Sequence, residues 1–343
     1  MPGSPEQSRL AHVREYVADV VGCRPDRVAT VTRFEDGNRH HVYKATYLDA
    51  AGIQAHLVVR VSLGDDHAER QQVEREAQVL QRLAGVGAPL LIDLRLSNPW
   101  FETPVLSMQF IHGRSIELRS ATSADIERLG SVVAWIHGQP VEDLADSFPQ
   151  TGTILSYADG RLQHILRGLP WARAPLPAPQ RDRLRHAADA IQSDWNTRRD
   201  TESFRTDEKL ALLHGDIAFG NVLWGPDPVL IDWEYARLGD PSDEIAYLFD
   251  QNRLAADQRN AFLRGYRGRA ASDVCLTDTV ERATWWEPLT LLGSALWWVE
   301  RFVRSTEAHD AGTRDPTVPK DPVYYLEQAL VRLERLGPLL DPG

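Results

Sequence analysis

Cysteine, lysine and long apolar segments are all scarce in this chain of 343 residues. The two cysteines, Cys23 and Cys275, lie far apart and belong to no C-x-x-C or Cys/His cluster, which argues against a disulfide framework and a zinc site. No uninterrupted apolar run approaches about 20 residues, and the first residues lack a basic segment followed by an apolar one. We therefore expect a cytoplasmic protein that is neither secreted nor membrane-spanning.

Positive charge is also in short supply. The chain has 38 Lys and Arg against 49 Asp and Glu, a formal net charge of -11. Proteins that bind nucleic acid or an anionic membrane surface need a basic patch, so the composition argues against both partners. Hydrophobic residues make up 43% and charged residues 25%, as in ordinary globular proteins. The length favours two lobes rather than one core.

The first third of the chain alternates between helical and strand patterns. Apolar residues at helical spacing predict two helices, and short β-branched or aromatic segments between turns predict five strands, the first three antiparallel. In chain order the predicted elements are a helix at 4–22, strands at 28–34, 40–48 and 54–62, a helix at 67–85, and strands at 90–97 and 104–111.

Beyond this region the pattern turns helical. The predicted helices lie at 123–138 with Ser123 as its cap, then at 259–269, 284–305 and 322–337. We accordingly predict an N-terminal lobe at 1–109 and a C-terminal lobe at 110–343. The first holds 12 basic and 14 acidic residues, a net of -2, and the second holds 26 and 35, a net of -9. A cationic ligand is therefore expected at the second lobe.

One acidic stretch carries the chemistry. In "LLHGDIAFGNVLWGPDPVLIDWE", Asp216 and Asn221 are five residues apart in a loop with two glycines, and Asp232 follows a buried-looking strand. The pattern brings three oxygen-bearing side chains into one region. Hard cations such as Mg²⁺ prefer oxygen ligands, and a further carboxylate can accept a proton from a hydroxyl that attacks phosphorus.

The motifs "HGDIAFGN", "LIDWE" and "GDPSDEIA" together resemble the signature of the aminoglycoside phosphotransferase and choline kinase superfamily, relatives of protein kinases. The resemblance implies an α+β, bilobal protein-kinase-like fold, with an antiparallel sheet and a helix in the first lobe and a larger, mostly helical second lobe. It also implies that Asp216 lies by the acceptor hydroxyl, that Asn221 and Asp232 hold Mg²⁺, and that Asp240 and Asp243 support the loop.

Upstream segments fit the same resemblance. "HLVVRV" is similar to the third strand of the family, whose basic residue contacts nucleotide phosphates, here Arg60, with Glu76 as its partner on the helix. Protein kinases and many aminoglycoside kinases have Lys at that position, and the forked Arg binds phosphate differently. "MQFIHGRS" resembles the connector whose backbone, from Gln109 to Ile111, faces adenine. The turn around Gly37 would cover the nucleotide.

The resemblance implies an enzyme that transfers the γ-phosphate of ATP or GTP, with Mg²⁺, to a hydroxyl of a small molecule. The acidic second lobe favours a cationic aminoglycoside as the acceptor, which would make antibiotic resistance the role. A sugar, amino sugar, choline-like alcohol, macrolide or nucleoside antibiotic is the alternative within enzymes. A nucleotide-binding pseudokinase and a non-catalytic binding protein are the alternatives outside them. The chain is expected to be a monomer or a homodimer.

Several residues remain ambiguous in the sequence. His214 is expected to order the loop backbone rather than act as a base. His40 is expected either to touch phosphate or to be solvated, and Glu234 either to reach the metal side or to be solvated. Two tryptophan pairs, 285/286 and 297/298, favour core packing over ligand stacking, and Glu287 and Glu300 beside them are candidates to bind an ammonium group.

Overall fold

The computed structural model describes residues 5–34, 40–114, 120–144, 147–148, 152–167, 176–270, 276–313, 315 and 318–340. The chain forms two compact units. One comprises Met1–Ser120 with Phe219–Ala236, and the other comprises Ala121–Ala218 with Arg237–Gly343. We call them the sheet unit and the helical unit. The division into functional lobes at 1–109 and 110–343 stays a prediction.

The sheet unit confirms the predicted order of a helix, three strands, a helix and two strands. Its five-stranded antiparallel sheet has the strand order β1-β2-β3-β5-β4. The elements are α1 (Pro5–Val21), β1 (Val28–Arg33), β2 (His40–Leu48), β3 (Gln54–Ser62), α2 (His67–Leu83), β4 (Leu91–Arg95) and β5 (Val105–Gln109).

The two faces of this sheet have different tasks. Because side chains alternate along a strand, every second residue of β3 lies on the same face. Leu57, Val59 and Val61 are buried in a core that also holds Val13 and Tyr16 of α1. The alternate positions of β3 face away from this core, and they include the basic residue of the predicted nucleotide site.

A small hairpin from later in the chain completes the sheet unit. It consists of β7 (Val222–Leu223) and β8 (Val229–Leu230), which pair antiparallel. The Ile231 backbone N–H donates to the Asn221 carbonyl oxygen at 2.9 Å, which extends the pairing by one step. Asn221 and the segment that leads to Asp232 therefore lie side by side at the open end of the hairpin.

The helical unit confirms the predicted helices. It contains α3 (Ser123–His137), α4 (Ile154–Arg167), α5 (Ala178–Arg198), α6 (Pro241–Gln251), α7 (Ala256–Arg269), α8 (Leu276–Asp310) and α9 (Pro322–Leu340), and β6 (Ala211–Leu213) pairs with β9 (Arg237–Gly239). The cap of α3 is Thr122, whose side chain accepts from the Asp125 N–H, so the predicted cap Ser123 is wrong by one residue. Within the described ranges, no helix has the length and apolar character needed to cross a membrane.

Two glycines allow α3 and α7 to approach closely. A Cβ atom at Gly130 would lie 2.1 Å from the Phe262 carbonyl oxygen, and one at Gly265 would lie 1.8 Å from the Glu127 carbonyl oxygen. Neither distance is possible for a real side chain. The close approach brings His137 of α3 within hydrogen-bond distance of Tyr266 of α7, with 2.8 Å between His137 Nδ1 and the Tyr266 hydroxyl.

Candidate active site

The sheet unit brings Arg60, Glu76 and Asp232 together. Arg60 lies on the β3 face opposite the α1 core, and its guanidinium forms a buried ion pair with Glu76 of α2. Its Nη1 atom also lies 3.8 Å from Asp232 Oδ1. The Arg60 and Glu76 side chains are 5% and 1% exposed, whereas Asp232 is 44% exposed. Of the three side chains, Asp232 is the most exposed.

The backbone at Asp232 differs from the sequence prediction. Asp232 was expected directly after a buried strand, where a strand spacing of two would put Glu234 on the same face. In the structure, β8 ends at Leu230 and Asp232 adopts the left-handed conformation with φ of 68°. Asp is one of the few residues that enter this region without a large steric cost. Trp233–Tyr235 then form a short 3-10 turn. The strand spacing that would place Asp232 and Glu234 on one face therefore does not exist.

Glu234 is buried, so the solvated alternative for this side chain is wrong. Its Oε2 atom lies 3.2 Å from His40 Nε2 and accepts from the Gln72 side-chain amide at 3.3 Å. His40 Nδ1 lies 3.5 Å from Glu69 Oε1 of α2. His40 is thus neither solvated nor exposed. It links β2, α2 and the turn that follows Asp232.

Several carboxylates act on one another around Glu76. Burial raises the pKa of Glu76 to about 7; the Arg60 guanidinium opposes that shift, and the carboxylates of Asp232 and Glu234 add to it. A cation beside Asp232 would reduce the repulsion between these carboxylates.

The predicted adenine connector lies at the end of β5. The Gln109 backbone N–H donates to the Leu90 carbonyl oxygen at 2.9 Å, and the Ile111 carbonyl oxygen accepts from the Gly113 N–H at 3.1 Å. The role of Gln109 and Ile111 stays a prediction. The turn around Gly37 lies outside the described residues.

In the helical unit, Glu244 of α6 holds the loop that carries Asp216. Glu244 accepts from the backbone N–H groups of His214, at 3.1 Å, and Gly215, at 2.6 Å. Its Oε2 also lies 2.9 Å from His137 Nε2. Gly215 has φ of 87°, which favours glycine and turns the chain directly after β6. The sequence reasoning missed Glu244, although it follows the "GDPSD" motif directly.

Asp216 itself is half-buried and held by a tyrosine. The Tyr247 hydroxyl of α6 donates a short hydrogen bond to Asp216 Oδ1. The Asp216 backbone N–H donates to His214 Nδ1 at 3.2 Å, which supports the prediction that His214 orders the loop. Tyr247 was also missed. The available signal was its spacing of three residues from Glu244, which places both on one face of α6.

Asp240 and Asp243 are buried parts of the framework. Asp240 caps α6 by accepting from the Ser242 N–H, and it also pairs with Arg282 and the Trp286 indole. Asp243 accepts from Tyr157 at 2.5 Å and Arg237 at 3.0 Å. The capping role of Asp240 is confirmed. Support of the loop by these two residues stays a prediction, and the N–H groups of His214 and Gly215 go to Glu244.

The first tryptophan pair belongs to the core. Trp285 and Trp286 are 1% and 0% exposed, as the packing interpretation predicts. Trp297 is 40% exposed and its ring lies under the Arg301 guanidinium, 3.3 Å from the ring centroid. Glu287 forms a two-bond pair with Arg259, so its carboxylate is already neutralised and is not available to an ammonium group.

The oxygen donors of the sheet unit fit a hard divalent cation. Asp232 offers an exposed carboxylate, and Asn221 lies beside the same chain segment through the 2.9 Å backbone bond. Across the described ranges no group of three or more His, Cys, Asp or Glu side chains could hold a metal. Mg²⁺ commonly takes only one or two protein oxygens and completes its shell with water and phosphate, so this donor set suits it.

The comparison with protein families identifies the chain. Residues 30–275, more than two thirds of the sequence, match the model described as the phosphotransferase enzyme family. The chain belongs to this family. The match includes Arg60, Glu76, Asp216 and Asp232, and the predicted superfamily is thereby confirmed. By class this phosphotransferase family member is a small-molecule kinase.

Solved structures show that the phosphotransferase has the predicted fold. A choline kinase from Cryptosporidium parvum aligns with a TM-score of 0.64 at 12% identity, over 96% of this chain and 95% of that one. A spectinomycin phosphotransferase in complex with ADP and spectinomycin gives 0.62 at 13%, over 98% and 99%. A choline/ethanolamine kinase family protein from Mesorhizobium loti gives 0.61 at 18%, over 95% and 97%. The bilobal kinase-like fold is confirmed.

Two curated relatives of the phosphotransferase are much longer than the region they share with it. Acyl-CoA dehydrogenase family member 10 of Mus musculus is 24% identical over 272 residues, 74% of this chain and 23% of that protein. Stress response kinase A of Salmonella typhi is 34% identical over 86 residues, 25% of this chain and 24% of that one. The match thus spans about a quarter of each relative.

Proposed function

We propose that the protein transfers the γ-phosphate of ATP to a hydroxyl group of a small molecule, with Mg²⁺. The observation that supports this most strongly is the arrangement of Arg60, Glu76 and Asp232 in a member of the phosphotransferase family. A buried, ion-paired guanidinium next to an exposed carboxylate suits a polyphosphate with its cation.

Each residue of the sheet unit has a separate task in this proposal. Glu76 fixes the Arg60 guanidinium, which donates hydrogen bonds to phosphate oxygens. Asn221 and Asp232 supply the protein oxygens that would hold Mg²⁺. When bound, the metal neutralises charge on the phosphates and orients them. His40 and Gln72 fix the turn that follows Asp232 through Glu234.

Asp216 of the helical unit takes the acceptor proton. As the acceptor oxygen forms its bond to the γ-phosphorus, the bond from phosphorus to the β,γ-bridging oxygen breaks and ADP leaves. The hydroxyl proton passes to the Asp216 carboxylate. Tyr247 orients that carboxylate, and Glu244 fixes the loop backbone beneath it. Most of the rate enhancement then comes from positioning and charge compensation.

The nucleotide is proposed to be ATP, with GTP as the alternative. Among similar solved structures, one is a complex with ADP and spectinomycin and another is a complex with GDP and kanamycin. Nothing in the described connector separates the two purines. An assay that offers both nucleotides at equal concentration decides between them.

A turnover assay tests the proposal. The full chain is incubated with ATP, Mg²⁺ and a panel of hydroxyl compounds, including aminoglycosides, amino sugars and choline, and the phosphorylated product is identified by mass spectrometry. We expect at least one acceptor to be phosphorylated by the wild type and none by Asp216→Asn. If no acceptor is phosphorylated although ATP binds with Mg²⁺, the pseudokinase alternative replaces the proposal; if ATP does not bind either, the binding-protein alternative does.

A further inference from the structure

Arg332 of α9 has only neutral partners among the described residues. Its Nε atom donates to the Ser294 hydroxyl at 2.7 Å, its Nη1 atom donates to the Gln328 carbonyl oxygen at 2.9 Å and side-chain oxygen at 3.4 Å, and the guanidinium lies 5.0 Å from the Trp298 ring centroid. The side chain is half-buried. A partly desolvated guanidinium without a carboxylate partner favours an anion from outside the chain.

The residues around Arg332 add positive charge rather than balance it. Arg335, one turn further along α9, pairs with Asp250. Arg253 is exposed, and its side chain forms no ion pair within the described part of the chain. Burial lowers the pKa of Arg332, and the positive charges of Arg335 and Arg253 lower it as well. The carboxylate of Asp250 opposes this shift. Arg332, Arg335 and Arg253 therefore bring three positive charges to the region of Asp250.

This basic cluster, defined as Arg253, Arg332 and Arg335, contacts the helix that holds the proposed proton acceptor, because Arg335 pairs with Asp250 of α6. Burial and the charge of Asp216 raise the pKa of Tyr247 on the same helix, and the charge of Arg332 acts against that shift. The Tyr247 hydroxyl donates directly to Asp216. On α6, Asp250 lies three residues after Tyr247, so both side chains lie on one face of the helix. Tyr247 contacts Asp216, and Asp250 contacts Arg335.

We propose that the acceptor carries an oxyanion, either a carboxylate or a phosphate, which Arg332 binds while Asp216 receives the hydroxyl proton. The inference rests on the proposed phosphotransfer and names its substrate class. Arg253 and Arg335 raise the local positive potential. The acceptor is then an anionic alcohol rather than the cationic aminoglycoside that the net charge of the second lobe favours.

The charge distribution explains why net charge misleads here. Two acidic residues of the helical unit are buried and already have partners, because Asp243 pairs with Arg237 and Glu244 accepts from two loop N–H groups. Glu287 is likewise paired with Arg259. These carboxylates contribute to the formal charge of the lobe but present no open site to an ammonium group.

Arg332 could instead only join α8 to α9, and the experiment separates the two roles. Ser294→Ala removes the Arg332 hydrogen bond at α8 but keeps its charge. Arg332→Gln removes the charge, and Arg332→Lys restores it without the fork. Arg205→Gln is the matched control, because Arg205 is an exposed arginine of the helical unit that pairs with Asp200.

The panel consists of matched alcohols that differ in one group. For each carbon chain it contains a hydroxy acid, a hydroxyalkyl phosphate, a diol and an amino alcohol, and kanamycin is added. We expect kcat/KM to be at least about tenfold higher for one anionic class, and the better class identifies the oxyanion. Arg332→Gln should raise KM for that class by about tenfold to a hundredfold, as for a charged hydrogen bond, and leave kcat within about threefold.

Three results overturn the inference while phosphotransfer stands. They are a best acceptor that is neutral or cationic, an Arg332→Gln variant with unchanged KM, or an equal rise in KM from Ser294→Ala. If ATP and Mg²⁺ bind but nothing is phosphorylated, calorimetry with the anionic members at millimolar concentration decides: Arg332-dependent binding supports the inference and its absence overturns it. Loss of ATP binding in the wild type would instead refute the proposed function.

Discussion

Glu76 in the sheet unit and Glu244 in the helical unit are both fully buried glutamates, yet their pKa values shift in opposite directions. Burial raises the pKa of Glu76 to about 7, with one guanidinium, Arg60, opposing it and two further carboxylates adding to it. Burial also acts upward on Glu244, but the His137 hydrogen bond and charge, the His214 charge and the Gly215 N–H outweigh it and lower its pKa.

The opposite pKa shifts distinguish a glutamate that holds the protein framework from one that belongs to a ligand site. Glu244 accepts from two backbone N–H groups and contacts His137, so its charge is compensated inside the protein. Around Glu76 the carboxylates of Asp232 and Glu234 raise the pKa of the buried glutamate, and Asp232 is exposed. Carboxylates that repel one another beside an exposed position suit a metal-bound phosphate, whereas a carboxylate that accepts from backbone N–H groups is suited to hold a loop.

The largest expected effect is on turnover. Asp216→Asn removes the proton acceptor and keeps the hydrogen-bond geometry around Tyr247, so we expect kcat to fall by roughly 10²- to 10⁴-fold. The unfolding free energy should change by about 1 kcal/mol or less, because an Asn side chain can still accept from Tyr247. Steady-state kinetics and urea unfolding measure both quantities. Retained turnover would exclude Asp216 as the base.

Glu244→Gln should show the opposite pattern, in which the main effect is a loss of stability. The substitution leaves a loop N–H opposite an amide group and removes the partner of His137, so we expect a loss of about 3 kcal/mol in unfolding free energy. Glu334→Gln on the exposed side of α9 is the control and should change little. Equal unfolding midpoints for the two variants in urea would contradict a framework role for Glu244.

The close contact of α3 with α7 provides a second test of the framework around Glu244. Gly265→Ala forces a Cβ atom against the Glu127 carbonyl oxygen, and we expect it to cost about 1 to 3 kcal/mol. It should also disturb Tyr266 and His137, which lie next to Glu244. Gly268→Ala on the same helix has open space around the new Cβ and should be neutral or stabilising. The pair is compared by thermal unfolding.

Glu76 should give an effect that is spread over a pH range, a slope in the pH dependence of stability. Its pKa is higher in the folded than in the unfolded chain, so between pH 4.5 and about 7 the folded state binds more protons. The wild type should therefore lose unfolding free energy relative to Glu76→Gln as the pH rises through that window. A difference between the two proteins that is constant across the window would contradict the raised pKa.

Much of the site could be predicted from the sequence because local patterns place it. The alternation of β3 puts Arg60 on the face opposite Leu57 and Val59, and the spacing of α2 puts Glu76 among its buried residues. The motif residues Asp216, Asn221 and Asp232 follow from the resemblance to the family. These residues depend on periodicity and short-range motifs, which a single sequence displays.

The rest depends on contacts between distant segments. The sequence presents Asp240, Asp243 and Glu244 as similar carboxylates, and only the packing of α6 against β6 decides that Glu244 takes the loop N–H groups. The left-handed backbone of Asp232 lies directly after the short β7–β8 hairpin. The apolar residues before Asp232 predict a strand and do not reveal this conformation. Arg332 lies over a hundred residues beyond Asp216 and belongs to no motif.

Nucleotide binding by calorimetry, with and without Mg²⁺, tests the central claim most directly. The claim is that Asp232 serves the metal-bound nucleotide and Asp216 serves the acceptor. We predict that Mg²⁺ strengthens ATP binding to the wild type and to Asp216→Asn, and that Asp232→Asn loses this dependence on Mg²⁺. Wild-type binding by Asp232→Asn, or loss of ATP binding in Asp216→Asn, would contradict the assignment.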